Sequence, residues 1–264
     1  MSVAPVRTFF SNQIRSLRMG GSRAFRRKLA KAAWTLLALP FSLILLAVVR
    51  LLKPLTPIRF CAMWGDRIGH MVANTEVYLS ERDLGRHPDG VDLFFFASRP
   101  CNRQIERMWR RAIWVWPNWC RFIPMLAWAL NKRLPGGEPH DGGVWENSGC
   151  DRTLALAETS PHLIFTDEEI ERGKELVRAL GIPDGAEFVC FHVRDHAYLG
   201  AVNPDVDYRC YDYRHAPLED HIPAAEALTA RGLYVVRLGS VVEAPLQSAN
   251  PLIIDYPRSG LRSE

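Results

Sequence analysis

Phe188-Val-Cys-Phe-His-Val-Arg-Asp195 is an apolar run that breaks into three chemically active side chains. Bounded by Gly185 upstream and polar residues downstream, it predicts a buried parallel strand. Cys190 sits inside that strand as a small reduced hydrophobe. In an open α/β sheet, ligands bind just beyond the carboxyl ends of the strands, where His192, Arg194 and Asp195 fall. Side-chain alternation sets His192 and Arg194 on one face and Val193 on the other. A guanidinium there suits a phosphate, because its planar fork stays charged and grips two oxygens at once. The plainer alternative is a strand-end Arg paired with a local carboxylate such as Asp195.

The flanks extend the same pattern. Thr166-Asp-Glu-Glu169 is a capping box that opens a helix running to Leu180. Gly181 is its expected stop, and Pro183-Asp-Gly185 a turn. Downstream, Asp195 to Ala216 forms a loop carrying Tyr198, Tyr208, Tyr211, Tyr213, Arg209 and Arg214. Loops of that length inside compact domains are usually functional or mobile. Pro217 to Arg231 reads as a helix ended by Gly232, Leu233 to Leu238 as a strand leading into Gly239-Ser240, and Leu252 to Asp255 as another. Upstream, Ile58 to Trp64 reads as a strand, Gly65 to His70 as a tight loop, and Met71 to Ser80 as a helix. Val91 to Ala97 is a further strand, followed by a helix from Asn102 to Ile113. Strand and helix in alternation imply a parallel α/β sheet. Glu76 reads as a helix-surface or packing residue.

At 264 residues the chain holds one large domain or two small ones. Its charge is unevenly placed. Eleven of the 33 Lys and Arg precede Asp66, the first acid, leaving 22 against 29 acidic residues in the remainder. The basic arm runs into an uncharged stretch of 18 residues, Ala32 to Val49. That length is the lower limit for crossing roughly 30 Å of hydrocarbon. The basic region is too long for a cleaved signal peptide, and no small-residue cleavage site follows. Cations on both flanks leave the positive-inside rule nearly balanced. Pro40 offers a way to kink the segment into a one-leaflet insertion. Six cysteines without a CxxC pair fit a reduced compartment. The expectation is a membrane anchor over residues 32–52, monotopic, at an inner or cytoplasmic membrane with the body facing the cytoplasm. No nucleic-acid partner is expected.

Residues 109–130 hold five of the eight tryptophans and are interrupted by Pro117 and Pro124. With Arg107, Arg110, Arg111, Arg121, Lys132 and Arg133 nearby, the stretch reads either as a second membrane contact or as an aromatic core under a loop. As a surface it would also cradle a lipid-linked acceptor.

Linked motifs carry a resemblance. Arg67-Ile-Gly-His70 with Asn74-Thr-Glu-Val-Tyr-Leu79, then Phe191-His-Val-Arg-Asp195 with Tyr198-Leu199, then Tyr211 to Arg214, Gly239, Ile253 to Tyr256, and Ser259 with Arg262-Ser-Glu264 occur in order. Together they resemble an uncharacterised family of bacterial glycosyltransferases of surface-polysaccharide loci. The strand-end His-x-Arg is also similar to that of fucosyltransferase-like enzymes, whose Arg contacts the diphosphate of a GDP-sugar. The resemblance implies a GT-B-like α/β architecture of two Rossmann-like domains. Residues 1–53 would be arm and anchor, 54–183 the acceptor-side domain, and 184–264 the nucleotide-sugar domain. Relatives continue past Arg262-Ser-Glu264, so it also implies an incomplete C-terminal domain and doubtful activity.

Under this reading the donor is a nucleotide sugar and the acceptor a glycan or lipid-linked precursor. The leaving diphosphate is met by Arg and helix N-termini, with no metal or other cofactor expected. Arg194, His192 and Asp195 are the catalytic candidates. Arg194, Tyr198, Arg214, Gly239, Ser240, Ser259, Arg262 and Ser263 are the donor-binding candidates, although Gly239-Ser240 and the 259–263 turn also fit plain turn roles. Gly65, Arg67, Gly69 and His70 would face the cleft from the N-terminal domain. The alternative from another class is a non-catalytic membrane-bound module of a polysaccharide assembly complex.

Overall fold

The computed structural model describes residues 4–147, 149–202 and 208–261. The chain is a mixed α/β protein with two small parallel sheets and one apolar N-terminal helix. Contacts separate one compact unit, Lys28–Phe165, from another made of the chain from Thr166 onward together with the part before Lys28.

Helix α1 spans Ala4–Leu51, and its Ala32–Leu51 portion is long and apolar enough to cross a membrane. The helix continues through Pro40 rather than ending there. A proline inside a helix forfeits one backbone hydrogen bond but leaves the rest of the ladder in place. Ala38, Ser42, Leu46 and Val49 are buried along one face, while Leu36, Leu37, Phe41, Leu43 and Ile44 are exposed. The buried face is fastened by polar contacts as well. Ser42 Oγ donates to the Ile123 carbonyl at 3.0 Å, and Arg50 donates to Pro135 O and Asn131 Oδ1.

Strands β1 (Ile58–Met63) and β2 (Val91–Phe96) pair in parallel, from Ile58 opposite Val91 to Met63 opposite Phe96. Single bridges, Phe60 to Asp141 and Phe94 to Val115, extend this pair on either side. Helix α2 (Ile68–Asp83) is the crossover, and α3 (Arg103–Ala112) follows β2 with Asn102 as its N-cap. Alternation along the strands sends Cys61, Met63, Phe94 and Phe96 toward Met71, Tyr78, Leu79 and Trp109. Phe60, Ala62 and Phe95 face the opposite way, toward α4 (Phe122–Asn131) and the Leu46–Val49 end of α1. The sheet is therefore a middle layer, and α1 supplies part of this unit's core. Trp109 is fully buried, its Nε1 donating to Met71 O at 2.9 Å. Trp116 and Trp128 pack beside the second cluster, whereas Trp119 is 81% exposed. The short helix α5 (Ala155–Glu158) is capped by both oxygens of Asp151.

The second unit opens with α6 (Asp167–Ala179), where Thr166 and Glu169 close the expected capping box and Gly181 ends the helix at φ +88°. Strands β3 (Phe188–His192), β4 (Tyr234–Leu238) and β5 (Ile253–Asp255) form a parallel sheet in that order. Helices α7 (Ala197–Val202) and α8 (Ile222–Thr229) lie between β3 and β4 in sequence. Ala225 and Leu228 of α8 cover one sheet face with Phe191, Val235 and Ile253.

Two expectations are corrected here. β3 is not a strand buried on both faces: it is the sheet edge, and Phe188, Cys190 and His192 are exposed on the face away from α8. An apolar run alone does not distinguish an edge strand with one covered face from a central one. The helix expected over 217–231 begins only at Ile222, after a 3-10 turn over Leu218–His221. Pro223, in the first turn, lacks the N–H that a longer helix would need from it. Among the described residues, neither sheet reaches the five or six strands of a complete Rossmann-like domain.

Each sheet carries one charged pair between register partners. Arg59 lies opposite Asp92 and Arg237 opposite Asp255.

Candidate functional site

At the carboxyl edge of the second sheet, the chain leaves β3 at His192 and β4 at Leu238. His192 is exposed, and Arg194 and Tyr198 are half-buried just beyond the strand. Both Asp195 oxygens meet backbone: Oδ1 accepts from Ala197 N at 3.0 Å and Oδ2 from Glu243 N at 2.9 Å. The first bond opens α7, and the second ties down the loop that follows β4. That loop is held twice more. Arg237 donates to Ala244 O at 2.7 Å, and Asp255 Oδ2 accepts from Leu246 N at 3.0 Å. A Cβ on Gly239 would approach Val242 Cγ1 to 2.8 Å and Pro257 Cγ to 3.2 Å, so the loop packs closely over this glycine. The stretch holding Gly239 and Ser240 is thus fixed against the strand ends before any ligand arrives.

Ser259 builds its own turn, donating to Tyr256 O and accepting from Leu261 N. Arg214 is exposed at the end of the Arg209–Arg214 turn. Arg262 and Ser263 lie outside the described residues. His196, Asp212 and His215 bring three potential ligand atoms within 4.8 Å of one another. His196 and Asp212 are exposed, and the two rings are hydrogen-bonded together at 3.0 Å. Such a trio is able to hold a divalent cation.

The first unit presents its own carboxyl edge. Gly65 N and Asp66 N both donate to Ser98 Oγ, and Cys101 N donates to Gly65 O at 2.7 Å. These bonds weld the loops after β1 and β2. A Cβ on Gly65 would lie 2.5 Å from Ser98 O, so the missing side chain serves loop-to-loop packing. Gly69 has open space around it. His70 stacks on Trp64 at 4.9 Å and bonds Asn74 Oδ1 at 3.1 Å, and the Arg67 guanidinium lies over the Trp64 ring at 5.8 Å. Trp64 is itself stacked on Trp145 at 3.7 Å. Arg67 and His70 thus rest on an aromatic shelf at the sheet edge.

Beside these loops is a cavity of about 550 Å³. Arg99, Arg103, Glu106, Asn118, Trp119 and Arg121 line it. Arg99 lies in the turn between β2 and α3, as Arg194 lies just after β3, and Arg103 is the first residue of α3. Burial depresses the Arg121 pKa, and the nearby charge of Arg99 depresses it further. Arg99 and Arg103 carry no sequence motif, although Arg99-Pro-Cys-Asn-Arg103 begins two residues after the predicted strand Val91 to Ala97.

Glu76 proves to be buried and chemically engaged. Its Oε1 accepts from His162 N at 2.7 Å and meets His162 Nδ1 at 3.1 Å, while His162 Nε2 meets Asp83 Oδ2 at 3.0 Å. An imidazole between two carboxylates fastens the 159–165 segment to α2, a role invisible in sequence because 86 residues separate the partners.

No family model, curated protein or solved structure matches this chain.

Proposed function

We propose that the chain is a membrane-associated, nucleotide-sugar-dependent glycosyltransferase acting on a surface-glycan precursor. In this reading the second unit is a GT-B-like donor domain and the first is the acceptor side. The observation that carries it is the carboxyl edge of β3–β4, where Arg194 follows one strand and a triply tethered glycine loop follows the next. Diphosphate leaving groups are stabilised by guanidinium forks and preorganised backbone N–H groups of this kind. His192 rather than Asp195 is the side chain open to an acceptor, because both Asp195 oxygens are occupied by backbone amides. Asp195 acts by positioning the 239–243 loop.

The anchor fits a monotopic arrangement facing the cytoplasm. One face of Ala32–Leu51 is packed on α4 and the sheet, so the exposed leucines and Phe41 are left for lipid. A second reading, a non-catalytic module of an assembly complex, draws on the same engagement of Asp195, which gives that carboxylate a structural role.

Purified full-length chain, supplied with radiolabelled GDP- and UDP-sugars and a polyisoprenyl-linked acceptor extract, separates the two. The enzyme reading expects labelled lipid-linked product; nucleotide-sugar hydrolysis and transfer both at buffer level support the module.

A further inference from the structure

We infer that the Arg99–Arg103–Arg121 cavity of the first unit binds the phosphate or diphosphate group of an amphiphile presented at the membrane surface. This inference stands apart from the donor site and does not depend on what the second unit binds.

The charge distribution is the first reason. Three guanidinium groups share one cavity, and among the described residues none of them pairs with a carboxylate. The one acid in the lining, Glu106, is already spoken for. Its Oε1 accepts from Arg110 Nε at 3.0 Å and Asn118 Nδ2 at 2.7 Å. Like charges brought together and partly desolvated are unfavourable unless an anion offsets them. The lowered Arg121 pKa is the sign of that tension. Guanidinium forks match phosphate oxygens in geometry as well as charge. The cavity also exceeds a lone phosphate, leaving room for a diphosphate and part of the group it carries.

Placement is the second reason. Arg121 lies against the ring of Phe122, with its Cζ 5.5 Å from the ring centre. Phe122 in turn stacks on Trp34 of α1, the rings 6.2 Å apart and 2° from parallel. Trp34 stands near the start of the apolar Ala32–Leu51 segment, just after the basic run Arg26 to Lys31. That junction is where a helix passes from headgroups into hydrocarbon. The exposed Trp119 indole on the cavity rim suits the same depth. A phosphate reaching the cavity therefore meets it at headgroup level, with apolar surface alongside for an acyl or isoprenyl chain.

The test uses the full chain in phosphatidylcholine nanodiscs, titrated with inorganic pyrophosphate by calorimetry. Arg103→Gln and Arg121→Gln should each weaken binding about tenfold or more, the loss of one charge-assisted bidentate contact. Each titration is run in the Arg194→Ala background, so that the proposed donor site does not contribute to the isotherm. Because none of these arginines pairs with a carboxylate among the described residues, the variants should melt close to the parent without ligand, and Arg99→Gln gives an independent third variant. Nanodiscs containing phosphatidic acid should compete with pyrophosphate, whereas oleate at equal charge should not; that result assigns the phosphate to a lipid. Arginine-dependent binding without lipid competition assigns it to a soluble phosphate instead. Absent binding, or binding insensitive to all three glutamine variants, would overturn the inference.

Discussion

Asp92→Ala should destabilise the first unit by about 3–5 kcal/mol, the cost of leaving a buried charge without its partner. Asp92 is 1% exposed at its side chain and Arg59 6%. Arg59 Nε donates to Oδ1 at 2.7 Å and Arg82 Nη1 to Oδ2 at 3.0 Å, so one carboxylate serves two guanidiniums. Arg59 also donates to Pro88 O, fixing the turn into β2. Without Asp92, Arg59 would keep its charge inside the sheet with only a carbonyl to meet it. Burial opposes ionisation of Asp92, yet the hydrogen bonds from Arg59 and Arg82 hold its pKa below the ordinary carboxylate value. A carboxyl depressed on folding contributes stability that is fully present above its unfolded pKa, about 3.9, and is lost as pH falls through that value to the folded one. Chemical denaturation at neutral pH and near pH 3 should therefore show the gap between parent and Asp92→Asn narrowing in acid. An unchanged gap would mean that the pair contributes no pH-dependent stability. The double variant Arg59→Met/Asp92→Leu should recover most of the loss, since apolar pairs of similar volume commonly replace buried ion pairs without cost.

Arg237→Ala should produce a loss of similar size, about 3–5 kcal/mol, confined to the second unit. Arg237 is 1% exposed, pairs with Asp255 at 3.5 Å and holds Ala244 O. The two buried pairs differ in where they lie. Arg59 and Asp92 are near the amino ends of their strands, away from the ligand edge, and are structural. Arg237 and Asp255 are at the carboxyl ends, directly beneath the 239–246 loop. Their loss should free that loop, so Arg237→Ala is expected to speed hydrogen exchange at Glu243 and Leu246, whose amides donate to Asp195 and Asp255. Exchange unchanged at these amides would separate the pair from the loop.

Local chemistry was legible in the sequence wherever a few neighbouring residues decide the outcome. The capping box at Thr166, the glycine stops at Gly181 and Gly232, and every strand position follow from short-range rules. The ends of α8 and the exposure of β3 were not legible, because the first turns on a proline's place within a turn and the second on how many neighbours a strand acquires. The two Arg–Asp pairs were hidden for a related reason. A charged residue inside an apolar strand shows nothing of a partner 33 or 18 positions away, and only strand register sets them opposite one another. Arg99, Arg103 and Arg121 are spread over a turn, a helix start and a second loop, so no motif joins them until the chain folds. Gly65 illustrates the converse: expected to face a cleft, it is packed against Ser98 and Arg99 of the neighbouring loop.

The most direct test of the account is calorimetric titration of GDP- and UDP-sugars into the full-length chain and its Arg194→Ala variant. A saturable donor isotherm in the parent that weakens about tenfold or more in the variant is the predicted result. Equal affinity in the two proteins, or no donor binding in either, would contradict a nucleotide-sugar site at the carboxyl edge of β3.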